Sequence, residues 1–164
     1  MSDNFRSSSL CAAVAADVVL FTKRGDVLSV LAVERGKEPF RAALALPGGF
    51  VEPGEVPVSA AVRELAEETG LAIEATRLCQ FGSYDRPGRD PRGHVISEAF
   101  HGYVPGAPDV VADDDAQAAR WVPLGEFLSS AAVVAFDHQD IVAAAVLARF
   151  DWHYPRSVPG PRQP

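Results

Sequence analysis

The sequence predicts an α/β domain in which a mixed β-sheet is covered by helices on both faces. Apolar runs of strand length alternate with turn residues through most of the chain. One amphipathic helical segment lies among these runs, from Pro57 to Thr69, and a second closes the series, from about Phe136 to Phe150. A chain of 164 residues without an internal repeat is expected to build one core rather than two.

The composition of the chain argues against two classes of binding partner, nucleic acids and membranes. Apolar residues make up 48% of the chain, and the mean hydropathy is close to zero. The net charge of −7 argues against a nucleic-acid partner, because such a surface normally carries a basic stripe. No apolar run approaches the roughly 20 residues of a membrane span, so no membrane partner is expected. Cys11 and Cys79 lie in apolar runs, which predicts buried free thiols and a reducing, cytoplasmic location.

Six strands are predicted from apolar runs bounded by turn residues, and the turn Arg24–Asp26 makes the first two a hairpin. The strands are expected at residues 10–22, 27–34, 44–47, 72–84, 94–104 and 118–122. A glycine-rich loop is expected from Gly48 onwards. Residues 1–9 and 153–164 are expected to be irregular tails, which leaves 10–152 as the domain.

Both predicted helices have recognisable ends. Pro57 suits a first helical turn, and Gly70 suits the left-handed position just past a helix end. Asp137 is the expected N-cap of the last helix, and the adjacent His138 is expected at the surface or at the helix start rather than as a ligand. The expected core-facing residues are Val58, Val62, Leu65 and Thr69 in the first helix, and Ile141, Val142, Ala145, Val146 and Ala148 in the last.

The first helix carries three glutamates on its other side. Glu64, Glu67 and Glu68 are spaced i, i+3 and i+4, so their carboxylates gather in one patch. Mg²⁺ or Mn²⁺ would offset the repulsion between them, because these cations prefer carboxylate oxygens. The same pattern also describes a solvated acidic face, on which Arg63 pairs with Glu67 one turn further along.

The spacing around these glutamates is a family signature. Five residues separate Gly49 from Glu55, seven separate Glu55 from the run that begins at Arg63, and the stretch ends at Leu71. This stretch resembles the Nudix box of the Nudix hydrolases, with no position missing. The resemblance implies the Nudix fold, an α/β/α sandwich with a mixed β-sheet. It also implies cleavage of a nucleoside diphosphate derivative with the help of Mg²⁺ or Mn²⁺.

The resemblance also implies roles for individual residues. Arg63 would orient a glutamate, and Glu55 would support the loop, so both count as catalytic candidates beside Glu64 and Glu68. The metal ligands that the resemblance implies are the Gly48 carbonyl, Glu64, Glu67 and Glu68.

The segment from Arg86 to Ser97 resembles the corresponding segment of ADP-ribose pyrophosphatases and of Nudix-related regulators that bind ADP-ribose. Pro87 lies 16 residues past the end of the box, which is a spacing seen in those pyrophosphatases. The resemblance implies cleavage of ADP-ribose, or of a related nucleoside diphosphate sugar, to AMP and ribose 5-phosphate. The candidate substrate contacts are Phe50, Arg86, Arg89 and Arg92. Solvated loop arginines are the alternative reading of this segment.

A general base is expected outside the box, because a carboxylate shared with a metal is a poor base. The candidates are Asp113, Asp114, Asp115 and Glu98, and the face of Glu98 depends on strand register. Two other functions stay open: a nucleotide-pool-cleaning triphosphatase, and a non-catalytic ADP-ribose sensor. The complete box and the lack of residues for a DNA-binding domain after the core favour an enzyme. Its resemblance to ADP-ribose pyrophosphatases suggests a homodimer.

Overall fold

The structure, a computed structural model, describes residues 12–112 and 116–150. The predicted tails, 1–9 and 153–164, lie outside these residues. The strands are β1 Ala13–Arg24, β2 Val27–Arg35, β3 Leu44–Ala45, β4 Gly48–Phe50, β5 Cys79–Tyr84, β6 Val95–Tyr103 and β7 Ala116–Pro123. The helices are α1 Pro57–Thr69, α2 Leu124–Phe127 and α3 His138–Phe150. Among the described residues, no helix has both the length and the apolar character needed to cross a membrane.

The strands form one mixed sheet, as predicted, and β1 lies in its middle. Strand β1 pairs antiparallel with β2 and parallel with β6, which gives the order β3-β2-β1-β6-β5. Strand β4 also pairs with β1, and β7 pairs with β2. Because β1 lies in the middle of the sheet, its apolar residues are buried on both faces.

Helices cover both faces of the sheet, so the predicted α/β/α sandwich is confirmed. On one face, Leu65 of α1 packs in a buried cluster with Val18 and Leu20 of β1. On the other, Ile141 of α3 packs in a second cluster with Val19 of β1. Successive residues of β1 therefore serve opposite layers, as the two-residue repeat of a strand requires.

Four local predictions are corrected. Gly48–Phe50 is a short strand rather than a loop, because it pairs with β1 in register with Ala15–Asp17. The predicted strand 72–84 begins only at Cys79, after a 3-10 turn at Ala75–Arg77. The apolar side chains at the start of that predicted strand pack beneath α1 instead of alternating across a sheet.

The other two corrections concern exposure. Cys79 is exposed, because β5 is an edge strand of the sheet. Ala148 is also exposed. In that last turn of α3 the contact with the sheet is made by Phe150, whose ring centre lies 5.2 Å from that of Phe21.

Candidate functional site

Helix α1 forms here because the residues at its two ends suit helix termini and its apolar face packs on the sheet. Pro57 occupies the start of the helix, where the missing N–H would have no partner. Gly70 adopts φ 70° at the other end, and its N–H donates to the carbonyl of Ala66. Ala61 and Leu65 are buried against the sheet. Since that side is fixed, the glutamates of α1 point toward β4 and the cavity beside it.

Strand β4 lies directly beneath two of these glutamates. The Gly48 N–H donates to Oε2 of Glu68 at 3.0 Å. A Cβ at Gly49 would overlap the Glu64 carboxylate, and a Cβ at Gly48 would overlap the Ala16 carbonyl. Only glycine therefore lets this strand approach both the helix and β1.

Arg63 links the helix to the chain before it. Its Nε and Nη2 donate to the two Glu55 oxygens at 3.1 and 3.0 Å, and Nη2 also donates to the Phe50 carbonyl at 3.1 Å. Its Nη1 donates to Glu64 at 2.7 Å and to Glu67 at 3.1 Å. Arg63 is thus bonded to Glu55 and to two glutamates of α1, and the roles that the resemblance implies, in which Arg63 orients a glutamate and Glu55 supports the loop, stay predictions. This geometry is more than the isolated surface pair of Arg63 and Glu67.

The carboxylates differ in their readiness to ionise. Burial raises the pKa of Glu68 to about 8, against the hydrogen bond from Gly48, and the nearby charges of Glu64 and Asp17 act in the same direction as burial. Burial also raises the pKa of Glu64, although the hydrogen bond from Arg63 opposes it. These are environments in which a bound cation would favour the charged form.

The donor set on α1 fits a hard divalent cation in its chemistry. Three carboxylates lie on adjacent turns of α1, and two of them, Glu64 and Glu68, lie above the Gly48–Gly49 backbone and have a raised pKa. Among residues 12–112 and 116–150, however, no three acidic or other ligating side chains converge closely enough to hold a metal ion. The reason is visible at Arg63, toward which Glu64 and Glu67 turn. Binding would require these two side chains to rotate away from the guanidinium.

A buried histidine stands on the other side of this cavity. His138 is the first residue of α3, one of the two positions predicted for it, and it is 3% exposed there rather than at the surface. Its Nδ1 accepts the N–H of Leu46 at 2.9 Å, and its Nε2 lies 3.8 Å from Oδ2 of Asp17. Leu46 lies in the gap between β3 and β4, and the imidazole satisfies its N–H. Burial lowers the pKa of His138, which favours the neutral ring, although the charge of Asp17 opposes the shift.

Asp17 is a site residue that sequence reasoning missed. It is 7% exposed, lines the cavity, and accepts a hydrogen bond from Ser97 of β6. The available signal was a lone charge in an otherwise apolar strand, because an aspartate is rarely buried without a partner or a role.

The loop before β6 contributes two arginines of different character. Arg89 is buried and donates to Asp137 from Nε at 3.0 Å and from Nη2 at 2.6 Å. Arg92 is half-exposed and pairs with Asp90, with Nη2 2.7 Å from Oδ2. Its guanidinium lies 4.9 Å from the ring centre of Phe50.

The structure brings most of the predicted site residues to one cavity of about 440 Å³. The predicted residues that line it are Gly48, Phe50, Arg63, Glu64, Glu67, Glu68, Arg89 and Arg92. Glu55 lies behind Arg63 and supports it. Lining residues that were not predicted include Asp17, Arg35, Phe136 and His138.

Of the predicted residues that the structure describes, Arg86 and Glu98 do not line this cavity. Arg86 is exposed in the loop and does not line it. Glu98 accepts hydrogen bonds from Gln80 and from Ser83, the latter at 2.7 Å, and does not line it either. Asp113, Asp114 and Asp115 lie outside the described residues. The identity of a general base therefore stays a prediction.

Comparison with known proteins gives a family and several relatives. The NUDIX domain model matches residues 12–145. An ADP-ribose pyrophosphatase of Methanocaldococcus jannaschii is 44% identical over 113 residues, which cover 69% of this chain and 63% of that protein. The chain thus spans less than two thirds of this relative's length.

Two solved structures share this fold with similar TM-scores. The NUDIX domain of Shewanella oneidensis NrtR, complexed with ADP ribose, matches with a TM-score of 0.76 at 25% identity, over 88% of this chain and 97% of that one. A bifunctional NMN adenylyltransferase/ADP ribose pyrophosphatase of Francisella tularensis, complexed with AMP and a Mn ion, matches with a TM-score of 0.74 at 28% identity, over 87% of this chain and 42% of that one.

Proposed function

This chain belongs to the NUDIX domain family, and on that premise we propose that it is a metal-dependent hydrolase of ADP-ribose or a related nucleoside diphosphate sugar. The products would be AMP and ribose 5-phosphate. The observation that carries this proposal is a single cavity that holds both the α1 glutamates and the loop arginines. The carboxylates suit a divalent cation, and the guanidinium groups suit phosphate oxygens.

The comparisons support the choice of substrate. The relative from M. jannaschii is an ADP-ribose pyrophosphatase, and the S. oneidensis NUDIX domain was solved with ADP ribose. The Francisella tularensis protein was solved with AMP and a Mn ion, which supports Mg²⁺ or Mn²⁺ as the proposed cofactor. We place the reaction in the cytoplasm, with a small nucleotide substrate, no nucleic-acid partner and a homodimeric enzyme.

The residues of the cavity would have different roles in the reaction. Glu64, Glu67 and Glu68, with the Gly48 carbonyl, would hold the cation, which when bound supplies Lewis acidity and lowers the pKa of water. Arg63 donates hydrogen bonds to Glu64 and Glu67, and these two carboxylates would turn from it toward the cation on binding. Because phosphoryl transfer is mainly a matter of positioning and electrostatics, the cation ligands would matter more to the rate than any nucleophilic side chain.

The pyrophosphatase activity can be tested directly. Purified protein with Mg²⁺ or Mn²⁺ should convert ADP-ribose to AMP, as followed by ion-pair chromatography, and EDTA should stop the reaction. The same assay should include a nucleoside triphosphate and oxidised dGTP. If ADP-ribose is inert while a triphosphate turns over, the substrate assignment is wrong, although the chain still belongs to the family.

A sensor of ADP-ribose is the second candidate, because the S. oneidensis NUDIX domain binds ADP ribose as part of NrtR. Binding of ADP-ribose without turnover in either metal would favour it. Turnover that depends on the metal would exclude it.

A further inference from the structure

Arg35, at the end of β2, is an arginine of the cavity for which the proposed chemistry has no role yet. It is half-buried, and its Nε donates to the Pro39 carbonyl at 2.7 Å. Its guanidinium carbon lies 4.9 Å from the ring centre of Phe136. The backbone and the ring together hold this long side chain at the cavity wall.

A second guanidinium lies against the same ring. The guanidinium carbon of Arg92 is 5.4 Å from the ring centre of Phe136. Asp90 accepts hydrogen bonds from Nε and Nη2 of Arg92, and the third guanidinium nitrogen, Nη1, is not part of this pair. Within the described part of the chain, no hydrogen bond engages this Nη1 or either terminal nitrogen of Arg35.

Two guanidinium groups that lie against one ring repel each other, and an anion bound between them would offset that repulsion beyond what Asp90 supplies to Arg92. Burial lowers the pKa of Arg35, and the charge of Arg92 lowers it further, while the charges of Glu68, Asp90 and Asp17 oppose the shift. Phe136 itself is held at φ 53°, a backbone conformation that a bulky residue rarely adopts. Such strained residues are concentrated at functional sites.

We propose that Arg35 and Arg92 together bind one phosphate group of a nucleotide or sugar phosphate in this cavity. Their unengaged terminal nitrogens supply donors in the planar fork that matches phosphate oxygens. The assignment of that phosphate to ADP-ribose rests on the proposed function, whereas the phosphate site itself does not. Arg35 would thus be a substrate-binding residue that the sequence did not indicate.

The competing explanation is that Arg35 only fastens the loop to Pro39. Calorimetric titration in EDTA separates the two, because it needs neither metal nor turnover. The ligands are AMP, ribose 5-phosphate and, as a control without phosphate, adenosine. The variants are Arg35→Ala, Arg92→Ala and, as a matched control, Arg41→Ala, which alters an exposed arginine outside the cavity lining.

We expect Arg35→Ala and Arg92→Ala each to weaken binding of the monoesters about 10-fold or more, the scale of one lost charge-assisted contact. Arg41→Ala should stay within about twofold, and adenosine should bind all variants alike. Unchanged AMP affinity in Arg35→Ala, or no monoester binding by the unmodified protein, overturns the site. If Arg35→Ala does not fold, Arg35→Lys decides in its place. The point charge of lysine lacks the fork, so weaker binding is expected and unchanged binding overturns the proposal.

The outcomes distinguish the site from the proposed function. A protein that is inert toward ADP-ribose but binds monoesters through Arg35 would retain the phosphate site and lose the enzymatic assignment. If the protein hydrolyses ADP-ribose but Arg35→Ala binds the monoesters as tightly as the unmodified protein does, the enzymatic assignment stands and the phosphate site is wrong.

Discussion

Arg89 and Asp137, 48 residues apart in the chain, form a buried ion pair with hydrogen bonds of 3.0 and 2.6 Å. Their side chains are 3% and 5% exposed. The pair joins the loop before β6 to the residue that precedes α3. Arg89 was predicted to contact substrate, and it does line the cavity, but its Nε and Nη2 are committed to Asp137.

Loss of this pair should therefore affect stability first. Arg89→Ala leaves the Asp137 carboxylate buried without its partner, which we expect to lower the free energy of unfolding by about 3–5 kcal/mol. Urea denaturation provides the measurement. Arg86→Ala, at an exposed position of the same loop, is the control and should stay within about 0.5 kcal/mol of the unmodified protein. Equal stability of both variants would show that the pair is energetically neutral.

The α1 glutamates should control turnover rather than folding. Glu64→Gln and Glu68→Gln keep the size and helix propensity of the side chain but remove a charged oxygen donor. We expect kcat for ADP-ribose to fall at least about 10²-fold in each, as when one preorganised electrostatic group is lost. Circular dichroism should show an unchanged fold. Near-normal kcat in both variants would mean that this acidic face is only solvated.

The pH dependence of stability should reveal the buried carboxylate of Glu68. Its pKa is raised to about 8 from an ordinary 4.5, so the folded state binds the proton more tightly than the unfolded state. The contribution is complete below about pH 4.5 and is lost as pH rises through about 8. In EDTA, the Tm should therefore fall between pH 6 and pH 8.5, and less so in Glu68→Gln. Parallel Tm profiles for the two proteins would contradict the raised pKa.

The general base should be revealed by single substitutions outside the box. Asp113→Asn, Asp114→Asn, Asp115→Asn and Glu98→Gln form the set. We expect one aspartate variant to lose about 10²–10⁴-fold in kcat, the usual contribution of a general base, while it still binds ADP-ribose. Glu98→Gln should stay close to normal, because that carboxylate is engaged by Gln80 and Ser83 outside the cavity. If no variant falls tenfold, the reaction needs no protein base from this set.

The features that the sequence predicted correctly are those that depend on local sequence periodicity. Helix α1 ends where Pro57 and Gly70 indicated, and its glutamates share one side because their spacing is set by the helical repeat. The hairpin of β1 and β2 was equally local, since its turn residues lie between two apolar runs. These features depend on residues a few positions apart in the chain, so they can be predicted from the sequence alone.

The partners across the cavity were decided by the tertiary structure. His138 was expected at the surface or at a helix start, and it does begin α3, but the fold buries it there because its Nδ1 accepts the N–H of Leu46 in the gap between β3 and β4. Arg89 and Arg92 look alike in sequence, but one is buried on Asp137 and the other remains half-exposed beside Asp90.

By itself, the sequence determined the fold class, the acidic helix and the family resemblance, because each is encoded by spacing within a short segment. Only the tertiary structure decided that Asp17, Arg35 and His138 join those glutamates around one cavity. They come from β1, from the end of β2 and from the start of α3, which are distant in the chain. Their proximity arises from strand order and helix packing, and the burial that follows from it lowers the pKa values of Arg35 and His138 and commits hydrogen bonds of all three.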